Sequence, residues 1–162
     1  MRKIGLACLL LLILATGCNW IEQIALKEIG VSKIKMDMGK GVLLEVKAKV
    51  DNGSNRYLAL TDVDGEIYTE EGVVARVSLA DTCRLAAHTE QELVVPLTIH
   101  LSDPLLLLKI GLNLSPQVLE GFYVKGTADV QVSRRENKKG STKHIQVPEM
   151  PLTQMADKIN LF

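Results

Sequence analysis

The sequence shows no excess of charge of either sign, no long hydrophobic run and little cysteine. Its 162 residues include 19 basic and 19 acidic side chains, so a basic surface that displaces counterions from nucleic-acid phosphates is not expected. No apolar run approaches the ~20 residues that a membrane-spanning helix needs. A hydrophobic fraction of 47% also excludes a disordered or low-complexity chain. A single globular domain is therefore expected.

Cysteine occurs three times, at positions 8, 18 and 83. The first two lie in or next to the N-terminal segment described below, so Cys83 is the one thiol left for the globular part. No disulfide is therefore expected, and the apolar core has to hold the fold together. We also predict no cofactor, because the three histidines are far apart in the sequence and show no metal-ligand spacing.

The first 17 residues are typical of a secretory signal. Two basic residues precede an uncharged apolar run over residues 4–15, which is too short to cross a bilayer as a helix. The run ends in small residues before a cysteine, Ala15-Thr16-Gly17-Cys18. This pattern resembles the bacterial lipoprotein box, in which the cysteine receives a diacylglycerol and the peptide is cut before it. The resemblance implies lipidation at Cys18; an ordinary signal peptide with a chance cysteine is the alternative.

The same resemblance bears on location and partners. Two or more acyl chains make a membrane anchor stable, whereas one chain alone is marginal. Asn19 stands where an aspartate marks inner-membrane retention in Gram-negative bacteria. The resemblance therefore favours the outer membrane, with the domain facing the periplasm. The expected partners are the membrane, through acylated Cys18, and an envelope protein or a lipid; nucleic acid is not among them.

Beyond the anchor, the chain mostly shows the period-two alternation of β-strands. Apolar residues at helical spacing over residues 20–29 predict a short amphipathic helix within a linker, residues 18–32. Alternation and turn residues then predict about seven strands at the spacing of a β-sandwich. These strands lie near residues 34–38, 44–50, 57–68, 73–79, 93–101, 122–132 and 144–147. Residues 33–150 are the predicted sandwich, and residues 151–162 are a C-terminal tail.

A leucine-rich insertion separates the fifth and sixth predicted strands, over residues 102–121. Asp103 and Pro104 suit the cap and the first position of a helix, and four consecutive leucines follow. Core burial is one interpretation of these leucines. The other is an apolar surface for a ligand or a protein partner, for which the candidate residues are Leu105, Leu106, Leu108 and Leu112.

Several segments together carry a family resemblance. They are an alternating strand running into an Asn-rich turn, a strand ending in an acidic Gly turn, and two later strands: residues 46–55, 65–72, 92–99 and 123–128. Their order resembles the late-embryogenesis-abundant type 2 family, also called the water-stress and hypersensitive-response domain. The resemblance implies an all-β, seven-stranded sandwich of immunoglobulin or fibronectin type. It also implies a link to stress tolerance and no catalytic residues.

Residues 60–71 can be compared with a twelve-residue calcium loop. Asp62 and Asp64 fall at positions three and five, Gly65 at six and Glu71 at twelve. Leu60 at position one cannot ligate, however, and an Asn-rich turn replaces the entering helix. The alternative is a strand whose acidic side chains face water. In the calcium-loop interpretation, the candidate ligands are Asp62, Asp64 and Glu71.

Two other groups of residues have a functional and an ordinary interpretation. Cys83 and His88 lack a nucleophile turn, so a packed thiol in a loop is favoured over an enzyme. A charged turn near residues 134–143 is either solvated or contacts a phosphate or lipid headgroup. We therefore predict a lipid-anchored envelope protein that acts non-catalytically as a binding or structural module. The alternative is a periplasmic carrier of lipid or another apolar ligand.

Overall fold

The computed structural model describes residues 23–37, 41–103, 105 and 116–158. Within these ranges, eight antiparallel strands and two short helical segments make an all-β, sandwich-like fold, which confirms the predicted fold class. The strands are β1 (Ile24–Asp37), β2 (Gly41–Asn52), β3 (Tyr57–Thr69), β4 (Gly72–Leu79), β5 (Cys83–Leu85), β6 (Thr89–Leu101), β7 (Tyr123–Ser133) and β8 (Ser141–Pro151). The helical segments are a 3₁₀ helix, Pro116–Leu119, and α1, Leu152–Lys158.

The strands form one continuous ladder in the order β1-β2-β6-β4-β3-β7-β8, and β5 pairs with the first part of β3. Strand β4 joins the two halves, because it pairs with the end of β6 on one side and with β3 on the other. Apolar side chains of the β1-β2-β6 half contact those of the β3-β7-β8 half, so the first half packs over the second. The ladder is therefore folded over at β4 into two layers.

Two apolar clusters hold these layers together. In one, Val50 of β2 is buried with Leu85 of β5. In the other, Val124 of β7 is buried with Met150 of β8. Ile29 of β1 packs against both clusters and so connects them. Burial of an aliphatic side chain of this size contributes about 1.5–3 kcal/mol, which makes these contacts the main source of cohesion between the layers.

Strand β1 shows that the helix predicted over residues 20–29 is wrong in its described part. Residues from Ile24 onward pair with β2, and the ladder shifts between Leu26 and Glu28 and again between Val31 and Lys33. Each shift inserts an extra residue, as a β-bulge does. The spacing from Leu26 to Ile29, both packed in the core, thereby becomes three instead of two and imitates a helix. The sandwich begins at Ile24 rather than at residue 33.

The remaining differences are at short elements and strand ends. Strand β5 has three residues, too few to show alternation, and it raises the strand number of the described chain above the predicted seven. Strand β8 covers Ser141–Pro151 instead of four residues. The predicted tail contains helix α1, which packs Leu152 and Met155 against the Val124 cluster. The apolar face of α1 is thus part of the core.

Candidate functional site

Two concave regions in the described part of the chain differ in charge. The first, which we call the basic cleft, has a volume of about 340 Å³ and is lined by residues 57–59, 84–86 and 135–139 with Gln131 and Ser133. The second, which we call the outer groove, has a volume of about 410 Å³ and is lined by Asp64, Glu66, residues 125–127 and residues 146–149. Both volumes fall within the range of small-ligand pockets.

Positive side chains dominate the basic cleft. Arg84, Arg135, Lys138 and Lys139 line it together with a single carboxylate, that of Glu136. Ion pairs within 4.0 Å in the described part of the chain use other cations, Lys27, Lys47, Lys49 and Arg76, and a contact between His144 and Asp129 also lies within this distance. The cleft therefore keeps an excess of positive charge, which is the electrostatic condition for binding an anion.

Local backbone chemistry fixes the hairpin that forms one wall of this cleft. Asn137 has a φ of 58°, a left-handed conformation that asparagine tolerates better than most residues. The Ser133 hydroxyl donates to the Arg135 carbonyl at 2.8 Å and accepts from the Arg135 amide at 3.2 Å. A Cβ on Gly140 would overlap the Val132 carbonyl oxygen, so this closing position requires glycine. The hairpin is thereby folded back beside β3.

Strand β5 forms the opposite wall and carries Arg84. It is paired with β3 through Ala59 and Arg84. The Gln91 side chain also accepts from the Ala86 amide at 3.1 Å and donates to the Arg84 carbonyl at 2.9 Å. The next residue, Leu85, is buried in the core cluster with Val50, whereas Arg84 is exposed. The backbone around Arg84 is thus hydrogen-bonded to β3 on one side and to the Gln91 side chain on the other.

A buried asparagine connects the basic cleft to the start of β1. The Asn52 side chain is completely buried and donates to the carbonyls of Arg56, at 2.9 Å, and Ala86, at 3.0 Å. Its oxygen accepts from the Ser54 hydroxyl at 2.6 Å and from the Ser54 amide at 3.1 Å. The next residue, Gly53, donates its amide to the Gln23 carbonyl at 2.9 Å. Gln23, the residue before β1, is therefore linked to the cleft wall through two hydrogen bonds: one from Gly53 to Gln23 and one from the adjacent Asn52 to Ala86.

The outer groove follows the surface of β3, β7 and β8. The pairing of β7 with β8 shifts between Val124 and Gly126, which places Pro148 and Glu149 opposite Lys125. On the other side, β3 and β7 lie so close that a Cβ on Gly126 would be 2.5 Å from the Asp64 carbonyl oxygen. The bulge and the close approach together shape the depression.

Aromatic and charged side chains border the outer groove. The rings of Tyr68 and Tyr123 stack with centroids 5.8 Å apart, and the Lys125 ammonium lies 5.0 Å from the Tyr68 centroid. A hydrogen bond to the Glu149 carboxylate raises the pKa of Tyr68 to about 12, because the bond favours the protonated phenol. Nearby, Arg76 pairs with Glu66 at 3.0 Å. The three carboxylates of the lining outnumber its one cation, Lys125, so negative charge predominates in the outer groove.

The structure places residues 60–71 on a strand and the turn after it, as in the alternative to the calcium-loop interpretation. Asp62 and Asp64 lie exposed on the continuous strand β3, and Glu71 lies beyond it in the turn before β4. A strand cannot wrap its side chains around one ion as a twelve-residue loop does. Within the described ranges, no group of three or more potential ligand side chains could hold a metal ion.

Other predicted site residues are only partly described. Cys18, Leu106, Leu108 and Leu112 lie outside the described residues. Leu105 is described, and its side chain is 64% exposed; its backbone amide donates to the Asp103 carboxylate at 2.9 Å. Leu105 alone therefore does not decide between core burial and an apolar surface for the insertion.

Cys83 has the surroundings of a packed thiol. Its sulfur lies 3.4 Å from the Val94 carbonyl oxygen, to which the thiol donates. Burial, with a smaller contribution from the Asp81 carboxylate, raises the pKa of the Cys83 thiol, which disfavours the reactive thiolate. His88 lies in the following turn, exposed, with a φ of 53°. These properties agree with the non-nucleophilic interpretation.

Sequence reasoning found the hairpin wall of the basic cleft but missed the other elements of both regions. Arg84 gives no signal in the sequence, because a lone arginine in a short strand looks like any surface residue. Tyr68 and Tyr123 were visible as strand residues, but their stacking depends on the pairing of β3 with β7. The sequence places Asn52 at an Asn-rich turn, and its burial depends on three segments that meet around it.

Comparisons with protein-family models and with curated proteins give no match. Among solved structures, a protein from Archaeoglobus fulgidus is similar, with 10% identity, a TM-score of 0.46 and coverage of 78% of this chain and 94% of its own. The Northeast Structural Genomics Consortium target SoR45 is also similar, with 10% identity, a TM-score of 0.39 and coverage of 80% and 85%. Across the described residues, no helix has the length and apolarity needed to span a membrane.

Proposed function

We propose that this protein is a lipid-anchored component of the bacterial envelope, whose β-sandwich acts as a non-catalytic binding module. The observation that carries the proposal is the order of two features along the chain. A lipoprotein-like box ends at Cys18, and the first strand of the sandwich begins at Ile24. The module thus follows the anchoring residue almost directly.

The short spacing supports a role close to the membrane. Five residues separate Cys18 from Ile24, so even a fully extended connection reaches no more than about 22 Å. A long flexible linker, which would let the module search far from its anchor, is missing from this interval. Binding by such a module is directed to the headgroup layer or to proteins next to it.

Two side chains with shifted pKa values, Tyr68 and Cys83, support binding over catalysis. The phenol of Tyr68 is hydrogen-bonded to the Glu149 carboxylate, which raises its pKa to about 12 and moves its ionisation further from neutral pH. Burial keeps the Cys83 thiol protonated. A general acid or base works best with a pKa near the operating pH, and neither of these shifts is in that direction.

Mass spectrometry of the N-terminal peptide tests the anchor. We would express the full chain in a Gram-negative bacterium and compare wild type with Cys18→Ala and with the control Cys83→Ala. The wild type and the control are expected to begin at residue 18 with the mass of a diacylglyceryl group and amide-linked acyl chain. Cys18→Ala is expected to lose that mass, and an unmodified residue 18 in the wild type would overturn the proposal.

Three narrower points remain predictions: the location, a role in stress tolerance and the carrier function. The outer membrane as location and a role in stress tolerance rest on resemblances in sequence. The carrier of an apolar ligand depends on the leucine-rich insertion, most of which lies outside the described residues. The two concave regions described above have mixed or charged linings instead.

A further inference from the structure

We propose that the basic cleft binds the phosphate of an anionic phospholipid headgroup in the membrane that holds Cys18. This inference rests on the proposed lipid anchor and assigns a ligand class to the module. Its basis is that unpaired cations meet in one concave region, and that this region lies beside the start of β1.

The cleft has the side chains that phosphate recognition needs. Arg84 and Arg135 each present a planar guanidinium that can bind two phosphate oxygens at once. Lys138 and Lys139 add two ammonium groups, and the single opposing charge is Glu136. Because Arg84 belongs to β5 and the others to the β7–β8 hairpin, folding brings the cations together from separate parts of the sequence.

The outer groove provides an internal comparison. Its lining has three carboxylates, those of Asp64, Glu66 and Glu149, against the ammonium of Lys125. Lys125 also lies over the Tyr68 ring. A phosphate would be repelled there, so the preference for an anion belongs to the cleft and not to the whole surface.

The cleft lies within reach of the membrane surface. Asn52 donates to Ala86 of the cleft wall, and its neighbour Gly53 is bonded to Gln23, directly before β1. The connection from Ile24 back to Cys18 spans at most about 22 Å. Attraction between basic residues and an anionic leaflet acts over about a Debye length, ~10 Å. The proposed anchor therefore allows the cleft to approach the leaflet closely enough for this attraction to act.

Calorimetric titration of the full mature protein in neutral detergent tests the proposal. The probes are short-chain phosphatidylglycerol, short-chain phosphatidylcholine and inorganic phosphate. We expect saturable binding of phosphatidylglycerol that weakens as salt is added. Phosphatidylcholine should not bind measurably. Inorganic phosphate binding as tightly as phosphatidylglycerol would assign the cleft to a free anion and overturn the lipid proposal.

Matched variants locate the binding. Lys138→Gln with Lys139→Gln should weaken phosphatidylglycerol binding roughly thirtyfold, as expected for two cations near an anionic headgroup. Arg84→Gln, on the other wall, should also weaken it severalfold. The control is Lys33→Gln with Lys35→Gln, two exposed lysines of β1, which removes the same charge and should change the affinity less than twofold. Equal losses in the control pair and the cleft pair would overturn the proposal.

The two proposals fail in different measurements. The N-terminal mass reports whether Cys18 carries lipid, and the titration reports whether the cleft binds a headgroup. A lipidated protein with no binding overturns the cleft proposal alone, whereas binding by an unlipidated protein overturns the anchor alone. Thermal melts of each variant confirm that the substitutions leave the fold intact.

Discussion

At the scale of single residues, Asn52 is the side chain on which the end of the sandwich depends most. It is fully buried, donates to two carbonyls and accepts twice from Ser54. A buried polar group of this kind is stabilising only while its partners are in place. It ties the turn after β2, the start of β3 and the segment after β5 into one unit.

Asn52→Ala is expected to lower the free energy of unfolding by about 3 kcal/mol, because several buried partners lose their hydrogen bonds at once. The matched control is Asn55→Ala in the same turn, where the side chain is exposed and the change should stay within about 0.5 kcal/mol. Chemical denaturation of both variants measures the difference. Similar values for the two would show that Asn52 does not have this role.

Tyr68 gives the structure a pH dependence at alkaline pH. The unfolded chain has a tyrosine pKa of about 10, whereas the hydrogen bond to Glu149 raises the folded value to about 12. The protonated phenol is the stabilised form, so its contribution is complete below pH 10 and is lost as the pH rises toward 12.

Glu149→Gln should move the pKa of Tyr68 back toward the ordinary tyrosine value, since it removes the carboxylate that opposes ionisation. The difference in tyrosinate absorbance between each protein and its Tyr68→Phe derivative isolates this one titration. Glu70→Gln, in the exposed turn after β3, is the control and should leave the pKa unchanged. A Tyr68 that ionises with the other tyrosines in the wild type would contradict the expectation.

At the scale of strands, the close approach of β3 and β7 explains a glycine in the middle of a ladder. Gly126 pairs with Gly65, and a Cβ added to Gly126 would lie 2.5 Å from the Asp64 carbonyl oxygen and 2.8 Å from the Gly65 Cα. Both are backbone atoms, so no side chain can move aside. The strands would have to separate.

Gly126→Ala is therefore expected to lower the free energy of unfolding by about 3 kcal/mol, as overpacking against a fixed backbone does. Gly30→Ala in β1 is the matched control, because a Cβ there meets no atom within 4 Å. Thermal or denaturant unfolding of the pair decides the question. A Gly126→Ala protein as stable as the control would show that β3 and β7 can move apart at little cost.

At the scale of the whole molecule, alternation in the sequence was sufficient to predict the all-β class and the approximate positions of seven strands. It failed over the first part of β1 because the bulge after Leu26 changes the inward spacing from two residues to three. It failed at β5 because three residues carry no period. The pairing order could not be predicted, since β4 joins the halves through contacts distant in sequence.

The candidate site shows the same limit more strongly. The charged hairpin was visible as a run of basic residues, but its interpretation stayed open between a solvated turn and a headgroup contact. What favours the second is Arg84 on β5 and the proximity of Gln23, and both follow from the folded chain. The overall composition does not reveal a basic site, because the numbers of acidic and basic residues are equal. The cleft itself is lined by four basic residues and one acidic residue.

The length of β1 has a consequence for what the protein can meet. This one strand runs from Ile24 to Asp37 over 14 residues, at most about 45 Å. The anchor proposed above would hold the Ile24 end beside the lipid. Ile34 and Met36, which are 44% and 47% exposed, lie near the other end. In that proposed arrangement, with β1 along the membrane normal, this exposed apolar pair would lie beyond the headgroups, where a neighbouring protein could contact it.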